Sequence, residues 1–221
     1  MATTLQDPRV AGALGRMYAA AENQMVALGD KRAELNRPMT AWERSEVMSE
    51  FYIPVTPEAG RLLYALVRAT RPATVVEFGM SFGISAIHLA AAVRDNGIGR
   101  VVTTELNEPK IAAATTTFAE IGLDDVITVL EGDALTTLAD LQEPVDFVLL
   151  DGWKNLYLPV LELIEPRLSP GVLVVADNTN SPELQPYLDR VRDPDNGYVS
   201  FNLPIRDDDS MEISCRTADE G

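Results

Sequence analysis

Oxygen-bearing side chains follow two apolar runs in the second half of the chain. Asp151 comes directly after one run, and Asp177 and Asn178 come directly after the next. Carboxylate and amide oxygens suit a hard divalent cation such as Mg²⁺, which shares its coordination sphere with water and substrate. Either aspartate alone would be interpreted as a cap of the segment that follows it. The pair, together with Asn178 and the nearby Lys154, favours a metal site with a basic group beside it.

A glycine-containing turn follows the first apolar run and leads into a helical segment. Glycine lets the backbone approach a ligand and enter a helix whose first N–H groups point outward. The turn lacks the G-x-G-x-x-G spacing of dinucleotide-binding proteins. Its Glu-x-Gly-x-Ser-x-Gly pattern instead resembles the first motif that binds S-adenosylmethionine (SAM), and a turn without a ligand is the alternative. The predicted cofactor contacts in this segment are Glu77, Gly79, Ser81, Gly83 and Ser85.

Two further acids end apolar runs. Glu105, followed by Leu106, is placed to accept hydrogen bonds from the ribose hydroxyls of a nucleoside. Its alternative role is a favourable charge near the N-terminus of the next helix. For Asp133, which is followed by Ala134, the sequence does not favour one of two roles over the other. Its carboxylate either receives the adenine amino group or caps a helix.

The elements that must position these residues alternate between short apolar runs and helical segments. Apolar runs of this kind suit strands buried on both faces, and strand–helix alternation indicates a parallel sheet covered by helices. Residues 1–70 have helical spacing, and two alternating segments near the end predict an antiparallel hairpin. The predicted strands are Thr74–Phe78, Arg100–Thr104, Val126–Leu130, Val145–Leu150, Val172–Ala176, Tyr198–Leu203 and Met211–Cys215. The predicted helices between them are Ile84–Arg94, Glu108–Ile121, Ala134–Leu141, Leu156–Leu168 and Pro182–Val191.

Composition narrows the class of protein. The 221 residues are 46% hydrophobic and carry a formal net charge of −16. We expect one domain, a small-molecule substrate, and neither a nucleic-acid nor a membrane partner, because no Lys/Arg cluster or long apolar run is visible. A single cysteine, Cys215, and an N-terminus without a signal-peptide pattern fit a soluble cytoplasmic protein. We interpret the acidic run 207–209 as a solvated turn.

The motifs together resemble the cation-dependent catechol O-methyltransferase family. The similarity covers roughly residues 53–216, and the stretch from Val145 to Pro159 (VDFVLLDGWKNLYLP) is its most specific part. The segment Val172–Asn178 matches the second metal-ligand segment of the family. The resemblance implies a Rossmann-like, doubly wound, mostly parallel seven-stranded sheet with a C-terminal hairpin. Residues 72–216 would form this core and residues 1–70 an N-terminal helical extension, within one domain spanning 1–221.

The resemblance also implies roles for individual residues. Mg²⁺ or another divalent cation would be ligated by Asp151, Asp177 and Asn178, and Lys154 would be the general base. SAM would be the methyl donor and a small molecule with adjacent aromatic hydroxyls the acceptor. Around SAM, Glu105 would hold the ribose, Gly79 and Ser81 the methionine end, and Trp153 the adenine.

On the acceptor side the implied contacts come from the start and the end of the matching region. Ile53 and Val55 lie beside the family's active site, Phe51 would supply an aromatic wall, and Glu212 would contact the second hydroxyl. Gly152 departs from the family, since a bulkier residue there can contact the adenine. The first fifty residues do not match, and their helices are candidates for a lid or a homodimer contact. Alternative functions are methylation of another acceptor and a non-catalytic SAM-binding module.

Overall fold

Seven strands form one sheet in the computed structural model, which describes residues 2–35, 37–206 and 209–218. Strands β1 to β5 are parallel, and β7 runs antiparallel between β5 and β6. This arrangement confirms the predicted Rossmann-like sheet with its C-terminal hairpin. The strands are β1 (Thr74–Phe78), β2 (Arg100–Glu105), β3 (Ile127–Glu131), β4 (Val145–Leu150), β5 (Leu168–Ala176), β6 (Tyr198–Arg206) and β7 (Asp209–Arg216).

Helices cover both faces of the sheet, and polar caps define where several of them begin. The Thr56 hydroxyl accepts from the Ala59 N–H, and the Asn107 side chain accepts from the Lys110 N–H. No described helix has the length and apolar character that would let it cross a membrane. The helices are α1 (Pro8–Glu34), α2 (Ala41–Val47), α3 (Pro57–Thr70), α4 (Ile84–Asn96), α5 (Glu108–Ile121), α6 (Ala134–Thr137), α7 (Tyr157–Ile164) and α8 (Gln185–Arg192).

Strand residues divide between two cores because successive side chains point to opposite faces. Val75 and Leu149 pack into the core beneath α1, α3 and α4, whereas Val76 and Val148 pack into the core beneath α7 and α8. Each fully buried aliphatic side chain contributes about 1.5–3 kcal/mol from area removed from water. Packing in the two cores therefore stabilises the sheet, including the edge where the site is predicted.

The carboxyl ends of β1, β4 and β5 meet at one edge of the sheet. The strand order is β3-β2-β1-β4-β5-β7-β6, so the order in which successive strands join the sheet reverses between β1 and β4. Phe78 pairs with Leu150, and Leu150 pairs with Ala176, at the last positions of the three ladders. The residues that follow these strands are consequently neighbours in space, at the position where open α/β sheets bind ligands.

Several element boundaries differ from the prediction, by one to four residues. Strand β5 begins at Leu168 instead of Val172, because an irregularity in the β4–β5 ladder between Val145 and Phe147 accommodates the extra residues of β5. Helix α6 ends at Thr137 and does not reach Leu141. In the predicted acidic turn, positions 207 and 208 lie outside the described residues, and Asp209 is the first residue of β7.

Candidate functional site

A cavity of about 880 Å³ opens at the carboxyl edge of the sheet. Its walls come from the turns after β1, β2, β3, β4 and β5 and from α1 and α2. This volume lies in the upper part of the range for small-molecule sites, about 300–1,000 Å³. The predicted site residues that line it are Ile53, Val55, Gly79, Ser81, Ser85, Glu105, Leu106, Asp133, Ala134, Asp151, Trp153, Lys154, Asp177 and Asn178.

Close backbone contact explains the glycines on both sides of the cavity floor. Gly79 has φ of +98°, and a Cβ there would lie 2.6 Å from the backbone of Gly152. A Cβ on Gly152 would in turn lie 2.5 Å from the ring of Phe78. The departure at Gly152 is therefore required by packing between the turns after β1 and β4. Because glycine has no side chain, the backbone at Gly79 and Gly152 is exposed to the cavity.

Glu105 is fixed beside this turn by three backbone amides. Its Oε2 accepts from the Ser81 N–H at 2.7 Å, and its Oε1 accepts from the N–H groups of Leu106 and Asn107 at 2.8 and 2.9 Å. A carboxylate has about four acceptor positions, so the group retains capacity for a ligand hydroxyl. The Ser81 amide is aimed at Glu105 by a left-handed conformation with φ of +50°.

Asp133 and Trp153 stand at the cavity wall formed by the turns after β3 and β4. The Asp133 carboxylate caps α6 by accepting from the Leu135 N–H at 3.0 Å, and it also lines the cavity. The two roles that the sequence left open are thus compatible in space. Arg44 of α2 places its guanidinium carbon 5.8 Å from the centre of a Trp153 ring, which brings α2 over this part of the cavity.

The acids after β4 and β5 lie with Lys154 at the other part of the floor. The Lys154 ammonium is 3.7 Å from Asp151 Oδ1 and donates to the Tyr157 hydroxyl at 2.7 Å. That hydroxyl donates to the backbone carbonyl of Asp177 at 3.1 Å. Asn178 has φ of +61°, a left-handed conformation that asparagine tolerates better than most residues. The turn after β5 thereby places Asn178 in the cavity wall.

Burial and charge oppose each other at Lys154. Removal from water lowers the pKa of the Lys154 ammonium, and the carboxylates of Asp151, Asp177 and Asp209 act in the opposite direction. Burial also raises the pKa of the Tyr157 hydroxyl well above its ordinary value, so that hydroxyl remains protonated. A lysine in this environment can exchange a proton with a neighbouring group more readily than one in water.

Sequence comparison identifies the family. A family model described as a methyltransferase domain matches residues 76–179. A Mycobacterium tuberculosis protein named "Probable O-methyltransferase" is 31% identical over 198 residues, which are 85% of this chain and 84% of the relative. The catechol O-methyltransferase of Sus scrofa is 31% identical over 140 residues, which are 60% of this chain and 74% of that protein. The chain belongs to the O-methyltransferase family. It is a SAM-dependent O-methyltransferase, and the predicted resemblance is confirmed.

Solved O-methyltransferase structures share the fold. One from Bacillus cereus, in complex with S-adenosylhomocysteine (SAH), has a TM-score of 0.68 and 21% identity and covers 91% of this chain and 100% of its own. TomG from Streptomyces achromogenes, in complex with SAM, has a TM-score of 0.67 and 23% identity and covers 82% of this chain and 92% of its own. The strand order and hairpin described above are therefore those of O-methyltransferases.

The oxygen-donor set of this O-methyltransferase fits a hard cation. Among the described residues no three His, Cys, Asp or Glu side chains form a metal-binding group. The predicted set differs from that pattern because it combines two carboxylates, Asp151 and Asp177, with the amide of Asn178. All three line the same cavity, and such oxygen ligands are those that Mg²⁺ accepts while keeping waters. The glycine turn and Glu105 line the same cavity.

Asp209 is a site residue that the sequence interpretation missed. Its Oδ2 accepts from the Asn178 Nδ2 at 2.6 Å, and it lines the cavity. The interpretation of this position as part of a solvated turn is wrong, because β7 runs beside β5 and begins at the level of the turn after β5. Its place directly before an alternating strand was the available signal.

Glu212, predicted to contact the acceptor, does not reach the cavity. It is 1% exposed, and both of its oxygens accept from the Arg192 guanidinium, at 2.8 and 2.6 Å. Asn202 donates to it as well, at 2.9 Å. Side chains alternate along β7, so Glu212 faces α8 while Asp209, three positions earlier, faces the cavity. Of these two carboxylates of β7, Asp209 is the one that lines the cavity.

Three other predicted contacts also lie outside the cavity lining. Glu77 is fully buried in β1, where the Thr103 hydroxyl donates to it, and Gly83 begins α4 under the ring of Phe118. Both residues flank the glycine turn after β1 and pack beneath it. Phe51, predicted to form the aromatic wall, does not line the cavity, but its neighbour Tyr52 does. The Tyr52 ring stacks on Phe82 with 4.2 Å between ring centroids. The Tyr52 backbone N–H is held by the Gln24 side chain at 2.9 Å, which aims the ring.

Proposed function

We propose that this O-methyltransferase moves the methyl group of SAM to one hydroxyl of a small aromatic molecule with two adjacent hydroxyls. Mg²⁺ or another divalent cation is held in this proposal by Asp151, Asp177 and Asn178. The observation that carries it is the convergence of these side chains with Lys154 in one cavity whose other part contains the glycine turn and Glu105. The named relatives that act on catechol support the choice of acceptor.

Residues at the two ends of the cavity position the reactants. In this proposal Glu105 accepts from the ribose, the backbone at Gly79 approaches the methionine part, and Asp133 and Trp153 border the adenine. These contacts leave the sulfonium methyl facing the acids after β4 and β5. Alignment of two reactants at contact distance can contribute about 7–11 kcal/mol to the lowering of a barrier.

Lys154 is proposed to take the proton from the attacking hydroxyl. A phenol has a pKa of about 10, by analogy with tyrosine, and is a weak nucleophile near neutral pH. A divalent cation supplies charge that favours loss of that proton. The acceptor oxygen bonds to the methyl carbon as the carbon–sulfur bond breaks, and the products are a methyl ether and SAH. Tyr157 and Asp151 hold the lysine in reach of the proton.

The acceptor is proposed to lie between an aromatic wall and a carboxylate. The stacked rings of Tyr52 and Phe82, with Ile53 and Val55, provide apolar surface for the acceptor ring. Asp209 takes the role that the sequence assigned to Glu212, because it is the carboxylate of β7 that faces the cavity. In this proposal it accepts from the second hydroxyl.

Methylation of catechol with and without a chelator tests the metal requirement. We expect EDTA to abolish turnover and added Mg²⁺ to restore it. Asp177→Asn should lower turnover by about 100-fold or more, because it removes a charged metal ligand and the activation that it supports. Exposed Asp140 offers a matched control, and Asp140→Asn should retain the activity of the parent. Full activity in EDTA, or in the Asp177 variant, would contradict the proposal.

A further inference from the structure

The candidate metal ligand Asn178 lies in a bend of the chain directly after β5. The β5–β7 ladder ends at the pair of Ala176 and Glu212. The next N–H, that of Asp177, donates to the Leu150 carbonyl of β4 at 3.0 Å. Asn178 then adopts the left-handed conformation, with φ of +61°. Asparagine adopts it more readily than most residues, but neighbouring contacts must still impose it. The bend therefore needs a fixed point beyond Asn178.

Thr179 supplies that fixed point through its backbone and its hydroxyl. Its N–H donates to the Ser210 carbonyl at 2.9 Å, and its hydroxyl donates to the same oxygen at 3.0 Å. The hydroxyl oxygens of Thr179 and Ser210 lie 2.8 Å apart. Thr179 is 4% exposed and Ser210 is 3% exposed, so water does not compete for these hydrogen bonds. A buried hydroxyl that loses its partner costs more than an exposed one, which favours this single arrangement.

Two amide side chains extend the group of buried hydroxyls. The Ser210 hydroxyl donates to Asn180 Oδ1 at 2.9 Å. The Asn202 Nδ2 of β6 lies 3.1 Å from both the Thr179 and the Ser210 hydroxyl oxygens. Through these contacts the turn after β5 is attached to β7 and to the edge strand β6. Any other arrangement of the turn would leave several of these donors and acceptors unpaired.

The Thr179–Ser210 contact lies one residue beyond the pair formed by Asn178 and Asp209. In that pair the Asn178 Nδ2 donates to Asp209 Oδ2 at 2.6 Å. An ionised carboxylate only accepts hydrogen bonds, so the amide nitrogen faces Asp209 and the amide oxygen is turned away from it. The oxygen is the atom of this side chain that can ligate a hard cation. The contact thus fixes the backbone that presents this amide.

We propose that Thr179 is a positioning residue for the divalent cation, because its hydroxyl holds Asn178 in the left-handed conformation through Ser210. This inference rests on the proposed metal site. Thr179 is not part of the cavity lining, so it acts through Asn178. Without the hydroxyl the turn relaxes, and the amide oxygen is no longer held for the cation. Outer groups that orient metal ligands typically account for about 10–100-fold in metal affinity.

Mn²⁺ binding, followed by the electron paramagnetic resonance signal of the free ion, tests this role. Mn²⁺ accepts the same oxygen ligands as Mg²⁺. Thr179→Val keeps the shape of the side chain but removes the hydroxyl, and it should weaken Mn²⁺ binding by about tenfold or more. Thr179→Ser keeps the hydroxyl and should bind Mn²⁺ within about threefold of the parent. SAH binding, measured by calorimetry without Mn²⁺, should be unchanged in both variants, which also shows that they fold.

Ser214→Ala is the matched control. Ser214 is fully buried in β7 where this strand pairs with Val174, and its hydroxyl accepts from the Ser200 hydroxyl at 2.7 Å. This variant should lose stability in urea as Thr179→Val does, yet bind Mn²⁺ as the parent does.

Parent-like Mn²⁺ binding by Thr179→Val would overturn the inference. An equal loss in Thr179→Ser or in Ser214→Ala would overturn it as well, because the loss would then come from packing or from stability. A parent that binds no Mn²⁺ would refute the proposed metal site, and the role of Thr179 with it.

Discussion

Replacing Glu77 with glutamine should remove a pH-dependent loss of stability from the folded enzyme. Glu77 lies in the middle of the sheet and is fully buried. Burial raises its pKa from 4.5 to about 7, although the hydroxyls of Ser85 and Thr103 act in the opposite direction. The side chain is therefore neutral in the folded protein at mildly acidic pH, where a glutamine of nearly the same shape can replace it.

The sign and size of the effect follow from proton binding. Between pH 4.5 and about 7 the folded state binds more protons at Glu77 than the unfolded state does. The stability from this group is therefore fully present below pH 4.5 and is lost as the pH rises to about 7. The pKa change corresponds to about 3 kcal/mol. Glu77→Gln should escape this loss, so its stability relative to the parent should rise by about 3 kcal/mol from pH 4.5 to pH 8.

Urea denaturation of parent and variant at pH 4.5 and pH 8 measures this difference. Taking the variant relative to the parent at each pH cancels the titration of every other group that the two proteins share. Glu120→Gln, at an exposed position of α5, controls for the loss of one carboxylate from the chain. If the stability of the Glu77 variant relative to the parent is the same at both pH values, folding does not raise the pKa of the buried carboxyl and the reasoning fails.

Three further substitutions separate catalysis from packing. Lys154→Met should lower methylation by about 100-fold or more while SAH binding measured by calorimetry is unchanged; weakened SAH binding would argue against its role as base. Gly152→Ala should cost about 1–3 kcal/mol in urea denaturation and weaken SAH binding, because its Cβ would lie 2.5 Å from the Phe78 ring; an unaltered variant would mean that the turn is not tightly packed. Glu212→Gln should cost about 1–2 kcal/mol by breaking the pair with half-exposed Arg192, yet leave turnover within about twofold; a large loss of turnover would restore Glu212 to the site.

Local sequence patterns were sufficient for the fold and for one edge of the site. Continuous apolar runs identify strands such as Val145–Leu150 because both faces of a parallel sheet must be buried. The residue after each such run then lies at the carboxyl edge, and on this basis Glu105, Asp151 and Asp177 were correctly placed beside one cavity. The alternating segments near the end also predicted the hairpin, and the family resemblance added the doubly wound, seven-stranded arrangement, which composition and periodicity alone do not specify.

Tertiary structure decided which of several acids and aromatic residues face the cavity. Asp209 and Glu212 lie three positions apart in β7, and only the pairing of β7 with β5 and the Arg192 contact from α8 direct one toward the cavity and the other away. Thr179 is likewise an ordinary residue after β5 until its hydroxyl contacts the start of β7. Such assignments depend on contacts between residues distant in sequence, whereas strand and helix patterns arise from the spacing of near neighbours.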